Sequence, residues 1–345
     1  MRKIKVFLGG YINYTNAQNL NCRAVAEHLN KENYQVFSLT AHFGKKEKFN
    51  VQTFHCFKPF SISKHIGFLL GIIKCDIAYL PKHIDTPFWI LKLAQLLKKP
   101  VFSTIEGNVT NQDIPNLISL FGSSNIMKEH FRYVNQIFGI TQHLINETKS
   151  VLKIECNPLF LGVNSHQFTA NISKELKSIV FIGGLIKRKR VDEIVKLAIN
   201  YPAIKFNIIG DGPEKKQLES NAPSNIEFYG ALSHNDINTI FEQSDVMFLP
   251  AKSEGFPKVT LEAASAGIPS IVYNTYGASD WIENKKNGFI ATDLEDVKEI
   301  INELLDNSEL LQITSESAVK LAKRFDWKNV INDWEKVINN LYNGK

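Results

Sequence analysis

Asp245-Val246-Met247-Phe248-Leu249-Pro250-Ala251-Lys252-Ser253-Glu254-Gly255-Phe256-Pro257-Lys258-Val259-Thr260-Leu261-Glu262-Ala263-Ala264-Ser265-Ala266-Gly267-Ile268-Pro269 is the stretch that organises this chain. Val246 to Leu249 is an unbroken apolar run that reads as a buried strand. Pro257 suits the first turn of a helix, where its missing N–H costs nothing, and Gly267 with Pro269 suits the helix end. Glu254 therefore sits in the loop over a helix N-terminus, and Glu262 projects from the helix about one and a half turns in. A rise of ~1.5 Å per residue puts Glu262 roughly 7–8 Å along the axis from Pro257. The first-turn amides and the helix dipole between the two carboxylates make an anion site. A diphosphate can dock there with one glutamate reaching a hydroxylated group at each end. Two glutamates eight apart are, on their own, more often capping or solvent-facing residues than a ligand site.

Working outward, both halves of the chain repeat one grammar of a short β-branched or aromatic run, a turn and a longer helical segment. The first-half runs are Ile4 to Leu8, Gln35 to Leu39, Ile77 to Leu80, Val101 to Thr104 and Gln136 to Ile140. Ala17 to Asn30 and Phe88 to Leu97 have helical spacing between them. The second-half runs are Ser178 to Ile182, Lys205 to Ile209, Ile226 to Tyr229, Asp245 to Leu249 and Ser270 to Tyr273. Strands alternating with helices of this size imply βαβ units and a parallel sheet, twice over. The fold expected is α/β, with two doubly wound, Rossmann-like domains. The break falls near Asn157-Pro158 to Phe168, after a helical segment from Leu144 to Ile154. It gives domains over 1–165 and 166–325, with a C-terminal helix over 326–345 packing back toward the first domain. Ligands of such sheets bind at the carboxyl ends of the strands.

The 345 residues suffice for two cores, and the net charge of +5 is a difference between unlike halves. Residues 1–165 carry +9 and residues 166–345 carry −4. This asymmetry points to a polyanion or an anionic membrane meeting the first half. The longest apolar runs, such as Gly67 to Ile73, are far shorter than the ~18–20 residues of a spanning helix. The basic start, Met1 to Lys5, is followed by too short an apolar segment for a secretory signal. Cys22, Cys56, Cys75 and Cys156 are scattered without C-x-x-C spacing, so neither a metal cage nor a disulfide framework is indicated and a reducing, cytoplasmic setting is expected. The chain has no Asp-x-Asp pair, so no metal site is expected.

Four further features bear on chemistry. Gly210-Asp211-Gly212 follows a strand but lacks the third glycine of a dinucleotide fingerprint, with Lys215 in its place, so it reads as a tight strand-to-helix turn. Lys187-Arg188-Lys189-Arg190 is a basic run of the kind usually found in a solvated loop. Gly9-Gly10 follows the first strand, where a missing side chain serves either a turn or close backbone approach to a ligand. Glu106 follows the strand ending at Thr104 and stands at a strand's carboxyl end, a position for orienting a substrate.

Glu254-Gly255-Phe256-Pro257, Leu261-Glu262-Ala263 and Gly267-Ile268-Pro269 together resemble the E-x7-E signature of the retaining GT-B glycosyltransferases of family 4. The resemblance continues through Phe181-Ile182-Gly183-Gly184-Leu185 with Lys189, Val191 and Asp192, and through Ile208 to Pro213. It also covers Gly162-Val163-Asn164, Asn287-Gly288-Phe289 and Phe325-Asp326-Trp327, spanning most of residues 158–327. Gly184 replaces the family's usual Arg and Arg190 its usual Gly, with Arg188 or Arg190 as substitutes for the lost cation. The resemblance implies two sheets facing a central cleft and a nucleotide-sugar donor, most often a UDP-sugar. It implies that Glu254 contacts the donor sugar, Glu262 holds the ribose hydroxyls and Lys189 neutralises the diphosphate. Gly9, Gly10, Gly184, Gly255, Phe256, Pro257, Lys258 and Val259 join the donor site, and Glu106 joins Glu254 as a catalytic candidate. The product would keep the donor's anomeric configuration, without a metal or other cofactor. The expected acceptor is a glycan or lipid-linked sugar of bacterial-type surface polysaccharide or lipopolysaccharide synthesis, met by a protein in peripheral contact with the inner face of the cell membrane; no nucleic-acid partner is expected. The alternatives are a soluble-acceptor transferase, a nucleotide-sugar epimerase, and a catalytically silent scaffold or binding protein.

Overall fold

The structure is a computed structural model that describes residues 2–107, 109–110 and 112–344. It divides into two compact units, the first holding the described residues up to Leu161 and from Val330 onward, the second Gly162–Asn329.

The first unit is built on seven strands, β1 (Ile4–Tyr11), β2 (Tyr34–Ala41), β3 (Gln52–Cys56), β4 (Ile77–Tyr79), β5 (Val101–Ile105), β6 (Gln136–Gly139) and β7 (Asn157–Pro158). They pair in the order β3-β2-β1-β4-β5-β6-β7 and every pairing is parallel. Helices α1 (Ala17–His28), α2 (Phe60–Lys74), α3 (Phe88–Leu96), α4 (Ile114–Phe121), α5 (Ser124–Arg132) and α6 (Gln142–Glu147) connect them. The second unit has six parallel strands, β8 (Ser178–Ile182), β9 (Lys205–Ile209), β10 (Ile226–Gly230), β11 (Val246–Leu249), β12 (Ser270–Tyr273) and β13 (Phe289–Ala291), in the order β10-β9-β8-β11-β12-β13. Its helices are α7 (Asp192–Asn200), α8 (Lys215–Asn221), α9 (His234–Phe241), α10 (Lys258–Ser265), α11 (Leu294–Asp306) and α12 (Ser308–Arg324); α13 (Trp327–Asn343) starts in this unit and continues in the first. In both sheets the strand order reverses beside the first strand, between β1 and β4 and between β8 and β11. Those reversal points are where open α/β sheets leave a crevice at the strands' carboxyl ends.

The central strands are covered on both faces, which is why they read as unbroken apolar runs rather than alternating ones. All four residues of β11 are fully buried, Val246, Phe248 and Leu249 in a core with Phe181, Phe206 and Tyr273, and Met247 in a second one with Val180 and Ile209. In the core of the first unit Phe7 meets Phe68 edge-on, with ring centroids 6.0 Å apart. Trp334 of α13 packs edge-on against Tyr79 at 5.0 Å, and its indole N–H donates to the Phe160 carbonyl at 3.0 Å.

Some elements differ from the sequence expectation. β1 runs on through Gly9 and Gly10 to Tyr11, and its pairing with β2 shifts register between Leu8 and Tyr11. The Ser38 hydroxyl, bonded to the Leu8 and Gly10 carbonyls, holds that irregularity. The segment expected as one helix from Leu144 splits into α6 and a π-helical turn, Thr148–Leu152, that ends on Lys153 in the left-handed region at φ 59°. β3, β7 and β13 carry no strong apolar signal, being a largely exposed edge strand, a two-residue strand and a three-residue strand. α2 escapes the periodicity reading for the opposite reason. It is apolar on every side, burying Phe68 and Ile72 while exposing Ile62, Ile66, Leu70 and Ile73.

Candidate functional site

In the second unit the loops after β8 and β11, which flank the strand-order reversal, are joined to each other. The amide of Lys252 donates to the Arg188 carbonyl at 2.9 Å. Lys189, on a 3-10 turn over Lys187–Lys189, places its ammonium 2.5 Å from Glu254 Oε1, and Arg188 Nη1 lies 3.1 Å from the same oxygen. Arg188 also donates to the Ser253 carbonyl. The Glu254 and Lys189 side chains are each only 12% exposed, so this ion pair is shielded from water far more than a surface one. Pro257 precedes α10 and gives it no side-chain cap, so its first turn keeps the positive end of the helix dipole toward the Glu254 loop. Glu262 stands half-buried, five residues into α10, beside Leu261 and Ala263, which are buried in the cores. The helix stops where Gly267 takes φ +84°, with its α-carbon pressed so near the Asn171 carbonyl that a Cβ would lie 2.5 Å away.

The glycine-rich loops have structural reasons of their own. A Cβ on Gly210 would stand 1.9 Å from the Gly183 carbonyl oxygen and one on Gly212 2.4 Å from that of Leu185, so the loops after β8 and β9 are in backbone contact. Gly184 differs, because it is exposed and its Cβ would meet nothing closer than the Asp211 carbonyl at 3.9 Å. Arg190 is turned away from Glu254. It lies in the left-handed region at φ 51°, pairs with buried Glu193 and stacks its guanidinium 5.0 Å from the Tyr273 ring centroid. Arg188 is therefore the arginine of this run that joins Lys189 at the Glu254 carboxylate.

Behind the loop Phe256 packs edge-on against Trp281 at 5.2 Å, and Tyr276 stacks on Trp281 at 6.3 Å. The Tyr276 hydroxyl and the Trp281 indole N–H are buried without a hydrogen-bond partner among the described residues. Burial, and secondly the charge of Glu254, push the Tyr276 phenol far above its ordinary pKa. Sequence reasoning missed both residues. Nothing in Tyr273-Asn274-Thr275-Tyr276 signals that the second tyrosine folds back under the β11 loop.

In the first unit a cavity of about 420 Å³ opens beside the β1/β4 reversal, lined among others by Gln18, Lys82, His83, Asp85, Thr104 and Glu106. Glu106 Oε2 accepts from Asn21 Nδ2 at 2.7 Å, and Oε1 accepts from Thr104 Oγ1 at 2.8 Å and Tyr79 Oη at 3.1 Å. Burial and then the Glu106 charge hold the Tyr79 phenol well above its ordinary range, so it remains a donor to the carboxylate. Gly9 and Gly10 are buried in β1, where Cβ atoms would fall 2.6 Å from Leu80 Cδ2 and 2.7 Å from Cys22 Sγ. Packing thus accounts for both glycines, and whatever they offer a ligand comes from the backbone. His83 and His130 form a buried pair with ring nitrogens 3.4 Å apart, and burial lowers their pKa values to about 4 and about 3. Among the described residues no group of three or more His, Cys, Asp or Glu is placed to hold a metal ion, and no helix is long and apolar enough to cross a membrane.

Residues 163–321 match the family model described as glycosyl transferases group 1. The greater part of the second unit is thus similar to the glycosyl transferases group 1. The matched segment holds the Glu254 loop, α10 and the Lys187–Arg190 run, the parts of the second unit assembled above. An uncharacterized glycosyltransferase of Methanocaldococcus jannaschii is 26% identical over 66% of this chain and 69% of its own length. The chain spans half or less of the length of three further curated relatives. The Escherichia coli UDP-Gal:alpha-D-GlcNAc-diphosphoundecaprenol alpha-1,3-galactosyltransferase is 35% identical over 32% of this chain and 30% of its own. Among solved structures, the sucrose-phosphate synthase of Thermosynechococcus elongatus superposes with a TM-score of 0.84 over 99% of this chain and 100% of the other, at 14% identity. At that identity the likeness shows the fold, two parallel-sheet Rossmann-like domains of the GT-B type.

Proposed function

We propose that the protein is a retaining glycosyltransferase of the family 4 kind, moving a sugar from a nucleoside diphosphate, most simply UDP, to a lipid-linked or glycan acceptor of surface polysaccharide or lipopolysaccharide synthesis. The observation that carries this reading is the Glu254 carboxylate held by Lys189 and Arg188 over the first turn of α10. Departure of the nucleoside diphosphate builds negative charge on the leaving phosphate and positive charge on the sugar ring. Lys189, Arg188 and the α10 amides answer the first, in place of a metal, and Glu254 answers the second. An entering donor exchanges partners with this ion pair, its diphosphate taking the cations while its sugar hydroxyls take the carboxylate. Glu262, farther along α10, takes the ribose hydroxyls. Glu106, fixed by three donors in the first unit's cavity, positions the acceptor. The E. coli relative, whose printed donor is UDP-Gal and whose acceptor is a diphosphoundecaprenol-linked sugar, supports both substrate classes. A thermal-shift screen of UDP-, GDP- and ADP-sugars, followed by nucleotide release from the wild type, Glu254→Ala and Glu262→Ala, tests the assignment. Glu262→Ala is expected chiefly to weaken nucleotide binding and Glu254→Ala chiefly to lower turnover. No stabilisation by any donor would overturn it.

The same reading includes peripheral contact with an anionic membrane, near the inner face of a cell membrane. Ile62, Ile66, Leu70 and Ile73 form one stripe along α2, each 38–59% exposed, and Trp89 and Leu96 of α3 are 42% and 79% exposed. The Trp89 indole N–H donates to His65 Nδ1 at 2.9 Å and ties the two helices together. Neither helix contains an acidic residue, while Lys58, Lys64, Lys74, Lys92, Lys98 and Lys99 lie on or beside them. An apolar helix face edged with lysines and tryptophan suits the boundary between headgroups and acyl chains.

A further inference from the structure

The first unit has a second opening that the reading above does not use. A groove of about 730 Å³ runs between α4 and α5, walled by Ile114, Ile118, Met127, Phe131, Val151 and Ile154. No residue of α4 is buried, although Ile114, Leu117, Ile118, Leu120 and Phe121 make it largely apolar. Met127, Phe131 and Leu152 line both this groove and the cavity that holds Glu106, so the two are neighbours through shared walls. Among the described residues the polar side chains along the groove are Ser124 and three cations, Lys128, Arg132 and Lys153, with no carboxylate. Lys128 and Arg132 are one helical turn apart on exposed positions of α5 and make no ion pair among the described residues, whereas Lys153 donates to the Ser150 carbonyl.

We propose that this groove binds the hydrocarbon tail of a lipid diphosphate, with the phosphates on Lys128 and Arg132 and the attached sugar in the Glu106 cavity. This rests on the transferase reading and names the class of its acceptor. An extended peptide is disfavoured because its amides would enter walls that offer almost no hydrogen-bond partners, a cost a plain hydrocarbon does not carry. A second copy of the chain seated in the groove would bring the same cations toward themselves. A lipid diphosphate offers a partner to each of the three surfaces, a chain to the apolar wall, phosphates to the cations of the groove, and sugar hydroxyls to Gln18, Asp85 and Glu106 of the adjoining cavity.

Binding of farnesyl diphosphate to the full chain, measured by calorimetry with saturating UDP to occupy the donor site, tests this. Farnesol and inorganic pyrophosphate serve as controls. The expected result is affinity for farnesyl diphosphate at least tenfold above either control. Ile118→Asp should lower it tenfold or more, and Lys128→Glu combined with Arg132→Glu should do the same while leaving farnesol binding unchanged. Ile118 is only partly buried, so its substitution spares the core, and unchanged circular dichroism checks the fold. Pyrophosphate binding as tightly as the prenyl probe, indifference of both variants, or a dimer in sedimentation that Ile118→Asp dissociates would each overturn the proposal. A UDP-sugar thermal shift on the same samples separates the failures. A retained shift without prenyl diphosphate binding removes this inference alone, and a missing shift removes the transferase assignment itself.

Discussion

Gly184 and Gly210 lie in facing loops of the second unit and have opposite tolerances. The space around Gly184 admits a longer side chain, so Gly184→Arg is expected to fold normally and to bring a second guanidinium to the diphosphate. A hydrogen bond to a charged group contributes about 1.5–3 kcal/mol, which predicts UDP binding tightened roughly tenfold or more by titration calorimetry. Gly210→Ala should instead destabilise the unit by several degrees in a thermal melt, since its Cβ collides with the Gly183 carbonyl at φ +144°. Tyr276 offers a sharper test of the proposed donor pocket. Its buried hydroxyl has no partner among the described residues, so Tyr276→Phe removes an unsatisfied group and is expected to leave the Tm unchanged or slightly raised. If the hydroxyl meets the donor, the same variant raises the donor's KM several-fold, and steady-state kinetics on the variant decides it. At this scale the placing of Glu254 before a helix and of Glu262 on it was legible in the sequence because one strand, one loop and one helix fix it, whereas the Lys189–Glu254 pair joins two loops. Tyr276 and the Tyr79–Thr104–Glu106 bonds were not, because they depend on side chains brought together across strands.

At the scale of elements, legibility followed burial. Strands covered on both faces, such as β8 and β11, stood out as apolar runs, whereas β3 and β13 are too exposed or too short to do so. α2 was hidden because one of its apolar faces packs on the sheet and the other is left uncovered. The uncovered face is what a membrane contact would use. Co-sedimentation with vesicles containing phosphatidylglycerol is expected to exceed that with phosphatidylcholine alone, and to fall as salt rises past the physiological range. Ile66→Asp with Ile73→Asp should reduce binding at least tenfold, because each apolar side chain withheld from the interface forfeits about 1.5–3 kcal/mol. The thermal shift with a donor sugar should not change. Equal partitioning to both vesicle types would remove the electrostatic part of the contact.

Across the whole molecule the charge difference between the halves now has a structural location on the first unit: lysines beside an exposed apolar face and three cations at the α4/α5 groove. The second unit, acidic overall, concentrates its cations at Lys187–Arg190. The His83–His130 pair adds a dependence that stability measurements on the entire chain will register. His83 Nε2 donates to the Thr104 carbonyl at 3.1 Å and lies 3.2 Å from Ser103 Oγ, and His130 lies between Phe121 and Phe131, so both rings are enclosed. Folding holds their pKa values at about 4 and about 3, below the ordinary ~6.5 of an unfolded histidine. Between those limits the unfolded chain takes up protons that the folded one refuses, and stability therefore falls as the pH falls. The contribution is fully present above pH ~6.5 and is lost progressively toward pH 4 and below, at up to ~1.4 kcal/mol per pH unit for each histidine. The Tm at pH 5 is accordingly expected several degrees below that at pH 7. His130→Phe, which keeps a ring among Phe121 and Phe131 but cannot take up a proton, should flatten that slope by about half. An unchanged slope in this variant would place the acid sensitivity elsewhere in the chain.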